Sequence, residues 1–166
     1  MRVLPGILLC FSSLSWAQPV SPDGVVSELW QALSSLPGEK PAIQTLKQLF
    51  HPDAYVFGAS YRQAEPTLTR SSALQFITML DRPAKDGFHE CEIFRDIQVF
   101  DRFATVYSVV ESRTDKTAAK PDFTGVNSIQ LYQTRQGWQI ISLYYHVGQA
   151  GVRIPLKAGV SGQCLS

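Results

Sequence analysis

The sequence predicts an α+β domain, helices first and an antiparallel sheet after them. Two observations carry this. Apolar residues recur at helical spacing in three stretches before residue 81, and from Phe88 to Val147 the period falls to two. Residues 123–147 then read as a β-hairpin. Both arms are rich in β-branched and aromatic side chains, and Gln136-Gly137 supplies a short turn in which glycine tolerates positive φ.

Taken in order, Ser21-Pro22-Asp23 predicts a helix start: a hydroxyl cap, proline in the first turn and an acid at the positive end of the dipole. Val25, Val26, Leu29, Trp30, Leu33 and Leu36 follow, and Pro37-Gly38 ends the run. A second helix is predicted over 41–50, with Ile43, Leu46 and Leu49 on one face. His51-Pro52-Asp53 breaks it, and 54–57 read as a short strand. Residues 58–66 read as a loop, and Thr69 as the cap of a third helix carrying Leu74, Ile77 and Leu80. A turn-rich connection, 81–87, leads to one long strand over 88–100 with room for a bulge. Asp101-Arg102 turns the chain back into 103–113, where Phe103, Thr105, Tyr107, Val109 and Glu111 share a face. After a charged loop, 114–122, the hairpin begins. With Gln136-Gly137 as its loop, Arg135 faces Trp138, Tyr132 faces Ile141, Gln130 faces Leu143 and Ser128 faces Tyr145. Its last arm sorts into Trp138, Ile140, Ser142, Tyr144 and His146 on one side, and Gln139, Ile141, Leu143, Tyr145 and Val147 on the other. Both sets are largely apolar, so helices are expected over one face and something else over the other. Residues 152–156 add a short edge segment.

The 166 residues amount to one domain. Met1-Arg2, an apolar run over 3–14 and Ser15-Trp16-Ala17 have the parts of a secretory signal peptide, too short to span a bilayer. The expected organisation is therefore a signal peptide over 1–17, a domain over 18–148 and a tail over 149–166. The expected location is exported, periplasmic or secreted. Without Arg2 the mature chain has fourteen basic and fourteen acidic residues. No basic stripe remains, which argues against nucleic acid or an anionic membrane as partner. Two cysteines survive cleavage, Cys91 and Cys164. Export favours a disulfide between them, and the alternative is a buried Cys91 with a free thiol in the tail. His89 and Cys91 share one strand face with Glu90 and Glu92 on the other, but no His-Glu-x-x-His or paired Cys-x-x-Cys motif accompanies them. Neither a metal nor a cofactor is implied.

The order of elements resembles the SnoaL-like branch of the nuclear transport factor 2-like superfamily over about 25–147. The resemblance is carried by Leu49-Phe50-His51-Pro52-Asp53-Ala54 and by Gly137-Trp138-Gln139-Ile140-Ile141. Where members of that family often carry His-x-His after the second motif, this chain has Ser142 and Tyr144. The resemblance implies three helices packed on a strongly curved antiparallel sheet, a cone enclosing a pocket, with the other sheet face commonly making a dimer. By that similarity Tyr107, Val109, Gln130, Tyr132, Ile141, Leu143 and Tyr145 would line the pocket. Trp138, Ile140, Tyr144 and His146 would face a partner subunit.

Two carboxylates are candidates for chemistry. Glu111 falls by period on the proposed pocket face, where burial would raise its pKa and fit it for acid–base work; alternatively it is a strand-end residue paired with Arg113 or Lys116. Asp53 would stand near the pocket mouth, or simply form a turn after His51-Pro52. His146 reads as hydrogen-bonded rather than catalytic. Three functions follow: a domain binding a small, mostly apolar ligand; an isomerase, dehydratase or cyclase using a pocket carboxylate and a tyrosine; or a dimeric interaction module without a ligand. The homodimer is expected through the patch of Trp138, Ile140 and Tyr144 with Ile129 and Leu131, too apolar to leave in water.

Overall fold

The computed structural model describes residues 21–149 and 151–165; the expected leader, 1–17, lies outside them. The first helix, α1 (Pro22–Leu33), starts as its sequence dictates. The Ser21 hydroxyl accepts from the Gly24 N–H at 3.1 Å, and Val25, Val26, Leu29, Trp30, Ala32 and Leu33 are buried. A short α2 (Ile43–Leu49) buries Leu46 and Leu49 and runs directly into β1 (Phe50–Arg62). Then come β2 (Glu65–Ser72), α3 (Ala73–Leu80), β3 (His89–Phe100), β4 (Phe103–Arg113), β5 (Phe123–Thr134) and β6 (Gly137–Val147).

The six strands form one open sheet in the order β2-β1-β6-β5-β4-β3. It is mixed rather than antiparallel, because β1 runs parallel to β6. Residues 58–66, expected as a loop, continue β1 and turn through Gln63-Ala64 into β2. Both turn residues have positive φ, 52° and 68°, the conformation of a tight hairpin, but without the Asn-Gly or Asp-Gly that announces one. The cap of α3 moves accordingly from Thr69 to Ser72, which exchanges hydrogen bonds with Gln75 in a capping box. Thr69 instead donates to the Gly58 carbonyl across the new hairpin. Residues 152–156 make no strand; Ile154 and Leu156 pack on Cys91, Ile93 and Val109.

Register decides which face is the core. The β5–β6 turn is Arg135-Gln136, with Thr134 opposite Gly137, one residue earlier than expected. The ladder then slips. Leu131 pairs with Ile140 but Gln130 with Ser142, leaving Ile141 as an extra, bulged residue. One extra residue inverts the alternation, so Trp138 and Ile140 on one side of the bulge share a face with Leu143 on the other. All three sit in the main core with Ile129, Leu131, Val106 and Val110, beneath the helices. The face containing Trp138, expected to be exposed for a partner, is therefore the most buried in the sheet, Trp138 at 5% and Ile140 at 0% exposure. Of the patch on which that dimer was expected, Trp138, Ile140, Ile129 and Leu131 are buried, and Tyr144 is exposed.

A buried ion-pair network fastens α1 across the edge of this sheet. Arg95 donates from Nε to both carboxylate oxygens of Glu92 at 3.1 and 3.0 Å, from Nη1 to Asp23 Oδ1 at 2.6 Å, and from Nη2 to Ser27 Oγ at 3.0 Å. Ser108 supplies a further donor to Glu92, so both carboxylate oxygens are satisfied. A second bulge on β3, at Ile93, re-aims this strand so that Phe94 rather than Ile93 pairs with Val109.

Placing a charge at Trp138 tests the core assignment. Trp138→Asp is expected to cost more than the roughly 3–5 kcal/mol of emptying a core aromatic site, since the carboxylate would also be buried unpaired. Circular dichroism and denaturant unfolding should find little folded protein; a soluble variant of unchanged stability would contradict the assignment.

Candidate functional site

Beneath α1 and α3 the sheet does not fill completely. A cavity of about 230 Å³ remains, walled mainly by Trp30, Leu33, Phe76, Leu80, Phe88, Val110, Leu143 and Tyr145. Its polar residues are few: Glu90, Ser112, Asn127, and Tyr145 with His146, on four adjacent strands. Apolar walls with a few convergent polar groups are the usual composition of a small-molecule site.

Local structure brings Glu90 there. Ser34, closing α1, donates its hydroxyl to the Trp30 carbonyl at 2.8 Å and accepts the Glu90 N–H at 3.0 Å. Ser35 and Phe88 exchange backbone hydrogen bonds of 2.8 and 2.9 Å just before it. The start of β3 is thus bonded to the end of α1, and period two turns Glu90 under Trp30. The Ser112 hydroxyl, directly across the strand pair, donates to Glu90 Oε2 at 2.7 Å. Burial pushes the Glu90 carboxyl up to about 7, with the Ser112 hydrogen bond opposing the rise. At neutral pH the group stands close to half ionised. Trp30 contributes a second unusual group: its indole N–H is buried with no hydrogen-bond partner among the described residues. Such a donor is rare in a folded core and costly unless a ligand or water meets it.

Of the residues expected to line the pocket, only Leu143 and Tyr145 do so. Gln130 and Tyr132 point to the opposite face, Tyr132 with 44% exposure, because the bulge at Ile141 puts their half of β5 out of phase with Leu143 and Tyr145. Ile141, the bulged residue itself, is not part of the cavity wall. Tyr107 and Val109 pair with Ser128 and Val126 on that same far face, under the C-terminal tail.

Glu111 is on the far face too, buried but not free for proton transfer. Burial alone would raise its pKa, but hydrogen bonds from Ser161, Arg113 and the Gly162 N–H, with the charge of Arg113, outweigh that and hold it below the ordinary carboxylate range. Asp53 lies in solvent, its N–H bonded to His51 Nδ1 at 3.2 Å, away from the cavity. His146, expected on the side away from the pocket, is among the residues lining the cavity and shares a hydrogen bond of 3.0 Å with the Tyr144 hydroxyl. Cys91 and Cys164 are joined in a disulfide, with Cα atoms 5.0 Å apart, and bind the tail to β3 on the far face.

Glu90 was missed as a site residue because its signal was set aside. The alternation His89, Glu90, Cys91, Glu92 puts two acids on one face and a cysteine on the other, and only the register tells which face is covered. Glu92 shares the helix-covered face but is consumed by Arg95.

No family model matches the chain, and no curated protein matches it. Solved structures do. A nuclear transport factor 2-like protein of unknown function from Shewanella baltica superposes with a TM-score of 0.54 at 16% identity, over 76% of this chain and 90% of that one. A protein of unknown function with a cystatin-like fold from Nostoc punctiforme gives 0.55 at 16% identity, over 76% and 87%. A candidate ketosteroid isomerase from Parabacteroides distasonis gives 0.52 at 18% identity, over 78% and 89%. Likeness at such identities speaks for the backbone alone, and on that ground the chain has a nuclear transport factor 2-like fold.

Proposed function

We propose that the protein binds a small, mostly apolar carbonyl compound in the cavity and moves a proton on it through Glu90, as an isomerase-type enzyme. The observation that carries this reading is a carboxyl with its pKa raised to about 7, in an apolar cavity large enough for a ligand. A proton-transfer group works best when its pKa lies near the ambient pH, because both of its forms are then populated. Glu90 as carboxylate takes a proton from the carbon between the carbonyl and a neighbouring C=C bond; the resulting acid returns it at the far end of that double bond, which moves into conjugation with the carbonyl, so the step balances without a further reactant. Negative charge gathering on the carbonyl oxygen needs a donor, and the unpartnered indole N–H of Trp30 and the hydroxyl of Tyr145 are the lining groups suited to it. The Parabacteroides distasonis neighbour is named a candidate ketosteroid isomerase, which agrees with this reaction class.

Export belongs to the same proposal. Residues 1–17 carry the leader pattern, and the Cys91–Cys164 disulfide suits an oxidising compartment. Material from an exporting host is expected to begin at Gln18 by intact mass and to hold no free thiol under denaturing, non-reducing conditions. Retention of 1–17, or two free thiols, would count against it.

Proton exchange tests the chemistry. With a small apolar cyclic ketone in deuterated buffer, the protein should accelerate deuterium uptake beside the carbonyl, with a rate that climbs as pH passes through about 7 and Glu90 ionises. Glu90→Gln should lower that rate by about 10²–10⁴-fold. Equal rates in the two proteins would dismiss Glu90 as the base.

The same carboxyl sets a stability dependence. Its folded pKa lies above the ordinary 4.5, so the folded state holds a proton that the unfolded state releases, and stability falls as pH rises from about 4.5 through about 7. The full cost above that window is up to about 3 kcal/mol, lessened by the partial exposure of Glu90. Glu90→Gln keeps an acceptor for Ser112 and removes the charge. It should therefore be the more stable protein at about pH 8 and nearly equal to wild type at about pH 4, as read by urea unfolding.

A further inference from the structure

The cavity shares lining residues with concavities on two sides, and those sides differ in chemistry. Trp30 and Glu90 form one boundary and also line a polar cleft with Gln31, Ser34 and Arg113. Phe76 and Tyr145 form the other, and also line an open groove between α3 and the β1–β2 hairpin. That groove is mostly apolar, about 780 Å³, and Leu74 and Met79 stand over it with 62% and 59% exposure. Two large apolar side chains left in water on one eight-residue helix are costly unless something covers them.

The boundary on this side is kept thin by a missing side chain. Gly58 lies on β1 beside Tyr145, and a Cβ there would collide with the Tyr145 ring and hydroxyl. Glycine lets the tyrosine pack directly against the strand, and Tyr145 lines both cavity and groove. At the other boundary stands Trp30, whose indole N–H is buried without a partner among the described residues, so that a small turn of the ring would offer it to a carbonyl oxygen.

We infer that the ligand is an acyl compound with an unbranched aliphatic chain. Its carbonyl end sits at Trp30 and Glu90, and its chain runs through the cavity past Tyr145 into the groove under Leu74 and Met79. This rests on the cavity reading proposed above and adds the shape of what fills it. A rounded ligand would stay within the cavity and leave the groove empty. A chain uses both, and its methylenes cover the two exposed side chains of α3.

Calorimetric titration of the wild-type protein with the neutral straight-chain ketones 2-octanone, 2-decanone and 2-dodecanone tests this, with cyclohexanone as reference for the cavity alone. Affinity should rise with chain length by up to about fourfold per methylene, at one ligand per chain. Met79→Glu changes an exposed side chain and should fold normally; it should flatten the dependence on chain length and leave cyclohexanone binding unchanged. Gly58→Ala, which displaces Tyr145, should also weaken the longest chain most. Chain-length-independent affinity with normal cyclohexanone binding would overturn the inference and spare the cavity. So would a chain-length gain that survives Met79→Glu. Failure of both cyclohexanone and the straight-chain ketones to bind would overturn the inference and the cavity reading together.

Discussion

Between the Gln130–Ser142 and Leu131–Ile140 pairs, β6 carries one residue more than β5, and the sheet's single core face depends on that surplus. In an unbroken strand Trp138 and Ile140 would face away from Leu143 and Tyr145, and each face would present a large apolar set. Two such faces cannot both be satisfied by one layer of helices. The bulge at Ile141 brings the heaviest residues of both halves to the same side, where α1 to α3 cover them. What remains opposite is lighter and more polar: Ser142, Tyr144, Gln130, Tyr132. The cavity follows from the same constraint, since Leu143 and Tyr145 roof it only while they share a face with the core.

Three glutamates on neighbouring strands show how environment assigns roles to one side chain. Glu92 is buried and spent on Arg95, which also holds Asp23 and Ser27 and so fixes α1 to the sheet. Glu111 is buried and spent on Arg113 and Gly162, holding the tail that the disulfide also anchors. Removing either partner would strand a buried charge, a loss of several kcal/mol in comparable cases. Glu90 has a single hydroxyl for company, and burial is free to raise its pKa. Of the three it alone is left available to a ligand.

Much of the helical layer could be read directly. Ser21-Pro22-Asp23 and the spacing of Val25, Leu29 and Leu33 specify α1 locally, and the long β3–β4 and β5–β6 pairs follow from their period. The misses share a cause: each depends on contacts distant in sequence or on a residue that looks ordinary. β2 lies at the sheet edge with scarcely any buried residue, so it carries no alternation to find, and its turn through Gln63-Ala64 has no glycine or asparagine. The parallel pairing of β1 with β6 joins segments more than eighty residues apart. Nothing in Ile140-Ile141-Ser142 marks which residue will bulge, yet that choice moved Gln130, Tyr132, Tyr107, Val109 and Glu111 off the pocket face together. The fold therefore survived the error and the site did not. Fold depends on the existence of strands, while a site depends on their phase.

On the proposed function, binding and chemistry in this cavity would be coupled through water. The same phenylalanines, leucines and Trp30 that give an apolar ligand somewhere to go are what deprive Glu90 of solvation. A ligand that fills the space removes what water remains and pushes the carboxyl further toward its neutral form, unless it offers a hydrogen bond or a dipole in exchange. A carbonyl compound does both things differently from a hydrocarbon. In the proposed mode its oxygen would meet the indole N–H of Trp30, relieving a donor without a partner among the described residues, while its adjacent C–H would face the carboxyl. A plain hydrocarbon would leave that donor orphaned and Glu90 neutral. Discrimination between the two thus needs no additional residue: it is the difference between satisfying and abandoning two buried polar groups.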